Sequence, residues 1–210
     1  MIHPSAIIDF QPISHQSFAR KVLTQHSAIL RDRVVIGPQA IIYAGCVIDD
    51  DTVICPQVHI REGARIGKRC IIGVGVRIGF DAIIGDDCQI MDDTHISGGS
   101  KIGNNCFISV QVLMVNDDKP RGYHWKGITP VTIGNNVVIG AGARLRPGIK
   151  IGDYATIGMG AIVTRDVETG VTVKGFPARP DVTKSGVLFS KDLERIEDAF
   201  PKQVYPEWIG

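Results

Sequence analysis

The chain has 210 residues, a length that suits one domain or one solenoid with short attachments. Lys plus Arg is 23 and Asp plus Glu is 22, which leaves no basic field to attract nucleic acid and no acidic tail. The apolar fraction is 44% with only 6% aromatic, so small and β-branched residues must fill a narrow interior in place of packed rings.

Met1-Ile2-His3-Pro4 lacks the positive and apolar regions of a signal peptide, and no apolar run approaches the ~20 residues of a membrane helix. A cytoplasmic protein with no membrane or nucleic-acid partner is expected. Residues 1–29 read as an N-terminal capping segment: Ile2 and Ile8 fit a six-residue spacing, which then breaks. Phe18, Val22 and Leu23 follow at helical spacing.

From Leu30 an aliphatic residue recurs at every sixth position, through Ile36, Ile42, Ile48 and onward to Ile102 and Ile108, fourteen times without a miss. The count resumes at Ile133 and runs to Val163. Four positions after each comes a small or β-branched residue, as at Val34, Ala40, Cys46 and Thr52. Two inward positions two apart make a short strand, and the remaining residues make a corner, often Asp or Asn, which tolerate positive φ. Three strands and three corners close an 18-residue triangular coil, so an all-β, parallel β-helix is expected over residues 30–180. Cys46, Cys70, Cys88 and Cys106 fall on the small inward position and read as core packing, with no disulfide framework.

The period fails between Ile108 and Ile133, where 25 residues replace six, and a loop of about nineteen residues is expected there, at about 113–131. It holds Asn116, Asp117, Asp118, Arg121, Tyr123, His124 and Trp125, the densest polar chemistry in the chain. A long loop on a rigid stack is where function usually lies. Residues 181–210 read as a C-terminal tail with a short helix, capped by Ser190 and carrying Leu193 and Ile196.

Ile133 onward reads IGNNVVIGAGARLRPGIKIGDYATIGMGAIVTRDV and closes with Gly175-Phe176-Pro177-Ala178-Arg179. This resembles the C-terminal half of hexapeptide-repeat acyltransferases, which implies that the β-helix is left-handed. Phe107-Ile108 followed by Val115-Asn116-Asp117-Asp118-Lys119-Pro120-Arg121 is similar to a signature of N-acetyltransferases acting on nucleotide-linked amino sugars for surface polysaccharides such as O-antigen; Val115 stands where that signature has Thr. The resemblance implies acetyl-CoA as co-substrate, no metal, and a homotrimer with sites between adjacent prisms. The pantetheine arm would run past Gly140, Ala141, Gly142, Gly158 and Ala161, where small residues permit close approach. Arg165, Lys174 and Arg179 are candidates for the 3′-phosphate.

An amine is nucleophilic once neutral, so the site mainly has to position it and accept a proton. His124 is the candidate base, with Asn116 and Asp117 orienting the amine. Arg121, Tyr123 and Trp125 are candidate substrate contacts, joined by Asp93 and His95 from a neighbouring edge. O-acetylation of a simple sugar or of an antibiotic stands as the alternative. A zinc hydro-lyase of the γ-carbonic-anhydrase type is disfavoured: His59 and His95 lie two coils apart, and the position five after His95 is Ser100. A non-catalytic scaffold is the remaining reading.

Overall fold

The computed structural model describes residues 1–11, 26–117 and 127–180. Strands of two to four residues stack into three sheets of eight, seven and nine strands, and up to Ile162–Val163 each strand pairs in parallel with those three before and three after it in sequence; Thr172–Lys174 then pairs with Thr156–Ile157. The result is a three-sided prism of stacked coils. One antiparallel pair closes the end, where Thr172–Lys174 meets Arg179–Pro180.

The strands from Val35–Ile36 to Ile162–Val163 repeat one device. The first residue faces outward and the second inward, as in Ile42, Ile60, Ile78 and Ile96, which stack in register 18 residues apart and are buried to within 1%. Burying each such side chain contributes about 2 kcal/mol. The neighbouring inward position is small because the prism narrows toward its corners. Cys46, Cys70, Cys88 and Cys106 occupy it, each 2% exposed or less, and all five cysteines are unpaired. Cys70, Cys88 and Cys106 donate to the carbonyls of Gly85, Gly103 and Gly134 at 3.1 Å. Thr52 fills the same column and is satisfied twice, donating to Gly67 O at 2.7 Å and accepting from Cys70 N at 3.0 Å. Among the described residues no buried side-chain nitrogen or oxygen lacks a partner.

The corners need a residue in the left-handed region once per turn. Arg33, Gln39, Asp51, Gln57 and Arg69 adopt φ of 54 to 61°, all at one phase of the repeat. Asx side chains then tie coil to coil: Asp50, Asp86, Asn104, Asn135 and Asp153 each accept from a backbone N–H one coil earlier. Their spacing explains why the sequence writes Asp and Asn in pairs at these sites.

Two expectations shift. Residues 1–11 are part of the stack: Ile7–Phe10 opens the eight-stranded sheet against Ile41–Tyr43, and Ile2 bridges Ile36. The insertion is also shorter than the six-residue count implies. Met114 continues the register, fully buried and paired with Leu145. Partners then step from Ile102 to Ile133, 31 residues in place of 18, so thirteen residues are inserted. Phe18, Val22 and Leu23, and the tail from residue 181 with Ser190, Leu193 and Ile196, lie outside the described residues. Among the described residues no helix is long and apolar enough to cross a membrane.

Candidate active site

The insertion leaves the prism at the corner between the eight- and seven-stranded sheets, directly after strand Leu113–Met114. Asn116 holds its base. The Asn116 side-chain amide donates to Gly98 O at 2.9 Å, one coil below, while its own carbonyl accepts from Thr129 N at 2.7 Å. Outgoing and returning legs are thereby clamped together. Ile128 and Pro130 pack over Gly99, and the Thr129 methyl lies over Gly148. Val131 re-enters the core with no exposed surface. A Cβ on Gly98 would lie 2.6 Å from the Phe80 ring, so this corner has no room for a side chain while that ring stays in place. Asp117 is half-buried beside Asn116. Arg121, Tyr123, His124 and Trp125 lie outside the described residues.

Asn116 was expected to orient the amine. Its Nδ2 is committed to Gly98, which turns Oδ1 away from that carbonyl and makes the oxygen the end of the amide available for orientation.

The eight-stranded face lies beside this corner. Its outward positions in successive coils are His59, Arg77, His95 and Leu113. Burial, and then the neighbouring Arg77 guanidinium, hold the His95 imidazole below its usual pKa. Arg77 between the two histidines sets a permanent positive charge where a metal shared by them would have to sit. Among the described residues no group of three or more His, Cys, Asp or Glu is arranged to hold a metal ion.

Asp92 and Asp93 serve the opposite edge of this face. Asp92 accepts from Val74 N at 2.9 Å, and Asp93 is in the left-handed region with its carboxylate over Gly75. Both are exposed corner residues, and Asp93 fills the left-handed position of its turn.

The same edge, two and three coils further on, is built of Gly140-Ala141-Gly142 and Gly158-Met159-Gly160. Gly142 and Gly160 have φ of 68 and 66°, and a Cβ on either would meet nothing within 4 Å. Gly140 and Gly158 are closed in, by the Met159 backbone and by Lys174 Cβ. Ala161 departs from expectation: its side chain is fully buried, and its N–H and carbonyl bond Gly158 and Arg144. It occupies the small inward position four residues after Ile157, so it fills the core and does not face the edge.

Lys174 and Arg179 are cross-strand partners on the closing hairpin, both exposed. Like charges directly opposite one another repel, an arrangement that an anion relieves. Arg179 also lines a cleft of about 330 Å³ with Arg165, Val163, Val167, Val173 and Ala178. Arg165 sits on a different edge from Lys174, so the three cations do not share one pocket; Arg179 stands between the other two.

One buried carboxylate was not singled out from the sequence. Glu62 is 1% exposed and accepts from Nε and Nη2 of Arg61, at 2.7 and 2.9 Å. Arg61 lies over the Tyr43 ring, which packs edge-on against Phe10. This cluster stitches the first coil to the third. Only the Gly that follows Glu62 hints at a corner there.

A model of the bacterial transferase hexapeptide, six repeats, matches residues 45–79, 81–113 and 130–165. The chain belongs to the hexapeptide-repeat transferases. Galactoside O-acetyltransferase of Escherichia coli K12 is 50% identical over 50 residues, 24% of this chain and 25% of that protein. Serine acetyltransferase of Synechococcus elongatus is 48% identical over 56 residues, 27% of this chain and 22% of that protein. The chain thus spans about a quarter of the curated relatives it matches. The crystal structure of a maltose O-acetyltransferase from Clostridium difficile 630 superposes with a TM-score of 0.50 and 28% identity, over 55% of this chain and 67% of that one.

Proposed function

We propose that the protein transfers an acetyl group from acetyl-CoA to the amine of a nucleotide-linked amino sugar. The observation that carries this reading is the loop clamped by Asn116 at one edge of a face whose other edge is lined by the open glycines Gly142 and Gly160. Acceptor and donor are thereby brought to the two sides of one narrow sheet. The Phe107-Ile108 … Asn116-Asp117-Asp118-Lys119-Pro120-Arg121 signature supports an amine over a hydroxyl acceptor.

The pantetheine arm follows the edge past Ala141, Gly142 and Gly160, and the 3′-phosphate meets Lys174 and Arg179. Asn116 Oδ1 accepts from the amine and aims its lone pair at the thioester carbonyl. The nitrogen attacks that carbon, the C–S bond breaks, CoA leaves as the thiolate, and the proton lost from nitrogen passes to His124 or water. No metal is required, and the reaction is placed in the cytoplasm, where sugar nucleotides and acetyl-CoA are found.

The active form is a homotrimer. The outward positions of the nine-stranded face support a self-packing surface: Val35, Val53, Ile71, Phe107 and Val138 are half-buried and apolar, with Gln89 the one polar residue among them.

Incubating the protein with acetyl-CoA and dTDP-, UDP- or GDP-linked amino sugars, and following thiol release, tests the reading. Turnover of at least one is expected. Turnover only of free sugars or an antibiotic would move the protein to the O-acetyl or xenobiotic alternative.

A further inference from the structure

Three cations at the corners of the prism are paired with carboxylates one coil away. Arg33 meets Asp51, Arg69 meets Asp87 and Lys68 meets Asp50, at 2.5 to 3.0 Å. Cations at the outward strand positions form a separate population, and among the described residues no carboxylate pairs with Arg77. Arg77 is flanked in register by His59 and His95, so three consecutive coils present nitrogen donors about 4.8 Å apart.

The other faces have no such row. On the seven-stranded face Ile83 separates Arg65 from Lys101, and Thr132 separates Lys101 from Lys150. On the nine-stranded face the outward residues from Val35 to Thr156 include no cation. Of the carboxylates around the row, Glu62 pairs with Arg61 and Asp92 accepts from Val74 N, while Asp81 stands over Gly63 and Asp93 over Gly75. The row also has a direction. His95 is followed by Leu113, whose strand runs into the loop at Asn116.

We infer that His59, Arg77 and His95 form the binding row for the diphosphate of the acceptor, with the sugar lying over Leu113 toward Asn116. A diphosphate diester carries two negative charges and covers about two coils of the stack. The guanidinium supplies parallel donors to both phosphates, and each imidazole adds one N–H. An exposed apolar residue at the next position suits the less polar face of a sugar ring. This assignment rests on the acceptor being a nucleotide-linked sugar, and it adds which residues read the nucleotide.

The test uses UDP, dTDP, GDP and inorganic pyrophosphate as separate probes in calorimetry against the full chain and its Arg77→Ala variant, alongside steady-state kinetics with whichever nucleotide sugar is turned over. Arg77 is exposed, so the variant keeps the fold, checked by its melting temperature. The inference expects Arg77→Ala to weaken nucleoside diphosphate binding and raise the nucleotide-sugar KM by about tenfold or more, with the acetyl-CoA KM unchanged. Arg77→Lys restores part of the loss, and the His59 and His95 imidazole resonances move when pyrophosphate is added. If Arg77→Ala binds and turns over the nucleotide sugar like the parent, the row is not the diphosphate site, although the acetyl-transfer reading stands. If no nucleoside diphosphate binds the parent and only nucleotide-free acceptors react, both fall together.

Discussion

The side-chain amide of Asn116 donates to the carbonyl of Gly98 across one coil of the stack, at 2.9 Å, and ties the inserted loop to the rigid prism. Asn116→Ala removes this bond and the Oδ1 proposed to hold the amine. We expect kcat/KM for the nucleotide sugar to fall by about 10²-fold, with a loss of about 1 kcal/mol in stability, read by denaturant titration. Asn116→Asp keeps the shape but sets a carboxylate against the Gly98 carbonyl, so it is expected to be no better than alanine.

The corner beneath the loop can be attacked without touching the site. A Cβ on Gly79 would stand 2.7 Å from Gly98 Cα and 2.8 Å from Ser97 C, both backbone atoms that cannot swing aside. Gly79→Ala is expected to cost about 1–3 kcal/mol and to lower kcat as well, because Gly98 carries the carbonyl that anchors Asn116. A thermal melt paired with steady-state kinetics checks both effects.

Much of this was legible in the sequence, for a physical reason. A two-residue strand has one inward side chain of fixed size, so the six-residue period reports the core directly, and the four register cysteines follow from it. Ala161 obeys the same rule, four after Ile157, and should have been read as core for that reason. Met114 escaped because methionine fills an aliphatic slot without being branched. The Asn116–Gly98 clamp and the His59–Arg77–His95 row depend on stacking 18 residues apart, a distance at which no local pattern marks the partners. His59 and His95 stood out from the sequence as a pair; the arginine between them only gains meaning once the coils are stacked.

His95 gives the protein a pH signature. Its folded-state pKa is lowered, first by burial and then by Arg77, so the unfolded chain takes up this proton more readily. Its contribution to stability is therefore complete above the unfolded value of about 6.5 and declines as pH falls below it. The parent should lose more melting temperature than His95→Gln between pH 7.5 and pH 5.5. Equal losses would mean that the imidazole titrates normally.

The thiols should be inert in the folded protein. Burial pushes the Cys46 thiol up to about 12 and the Cys55 thiol up to about 11, and the other three lie inside the prism. An Ellman-type reagent is expected to find no rapidly reacting protein thiol at pH 8 in the native state, and all five after unfolding. This also keeps the thiol-release assay for CoA free of background.

Ile71 and Phe107 face outward on the nine-stranded sheet, in a column from Val35 to Thr156 that carries no charge. If the proposed trimer packs through this column, replacing either with Lys is expected to give monomer in sedimentation velocity, with loss of activity, while Ile83→Lys on the seven-stranded face leaves the assembly intact.

The central claim is acetylation of nitrogen on a nucleotide-linked sugar, and a matched pair of acceptors tests it most directly. The same sugar nucleotide is supplied once with its amine and once with a hydroxyl in that place, and kcat/KM is measured for each with acetyl-CoA, for the parent and for His124→Ala. The account predicts that the amine form reacts, that the hydroxyl form does not, and that His124→Ala slows the amine reaction by about 10²-fold or less without abolishing it. Faster turnover of the hydroxyl form, abolished in His124→Ala, would contradict it.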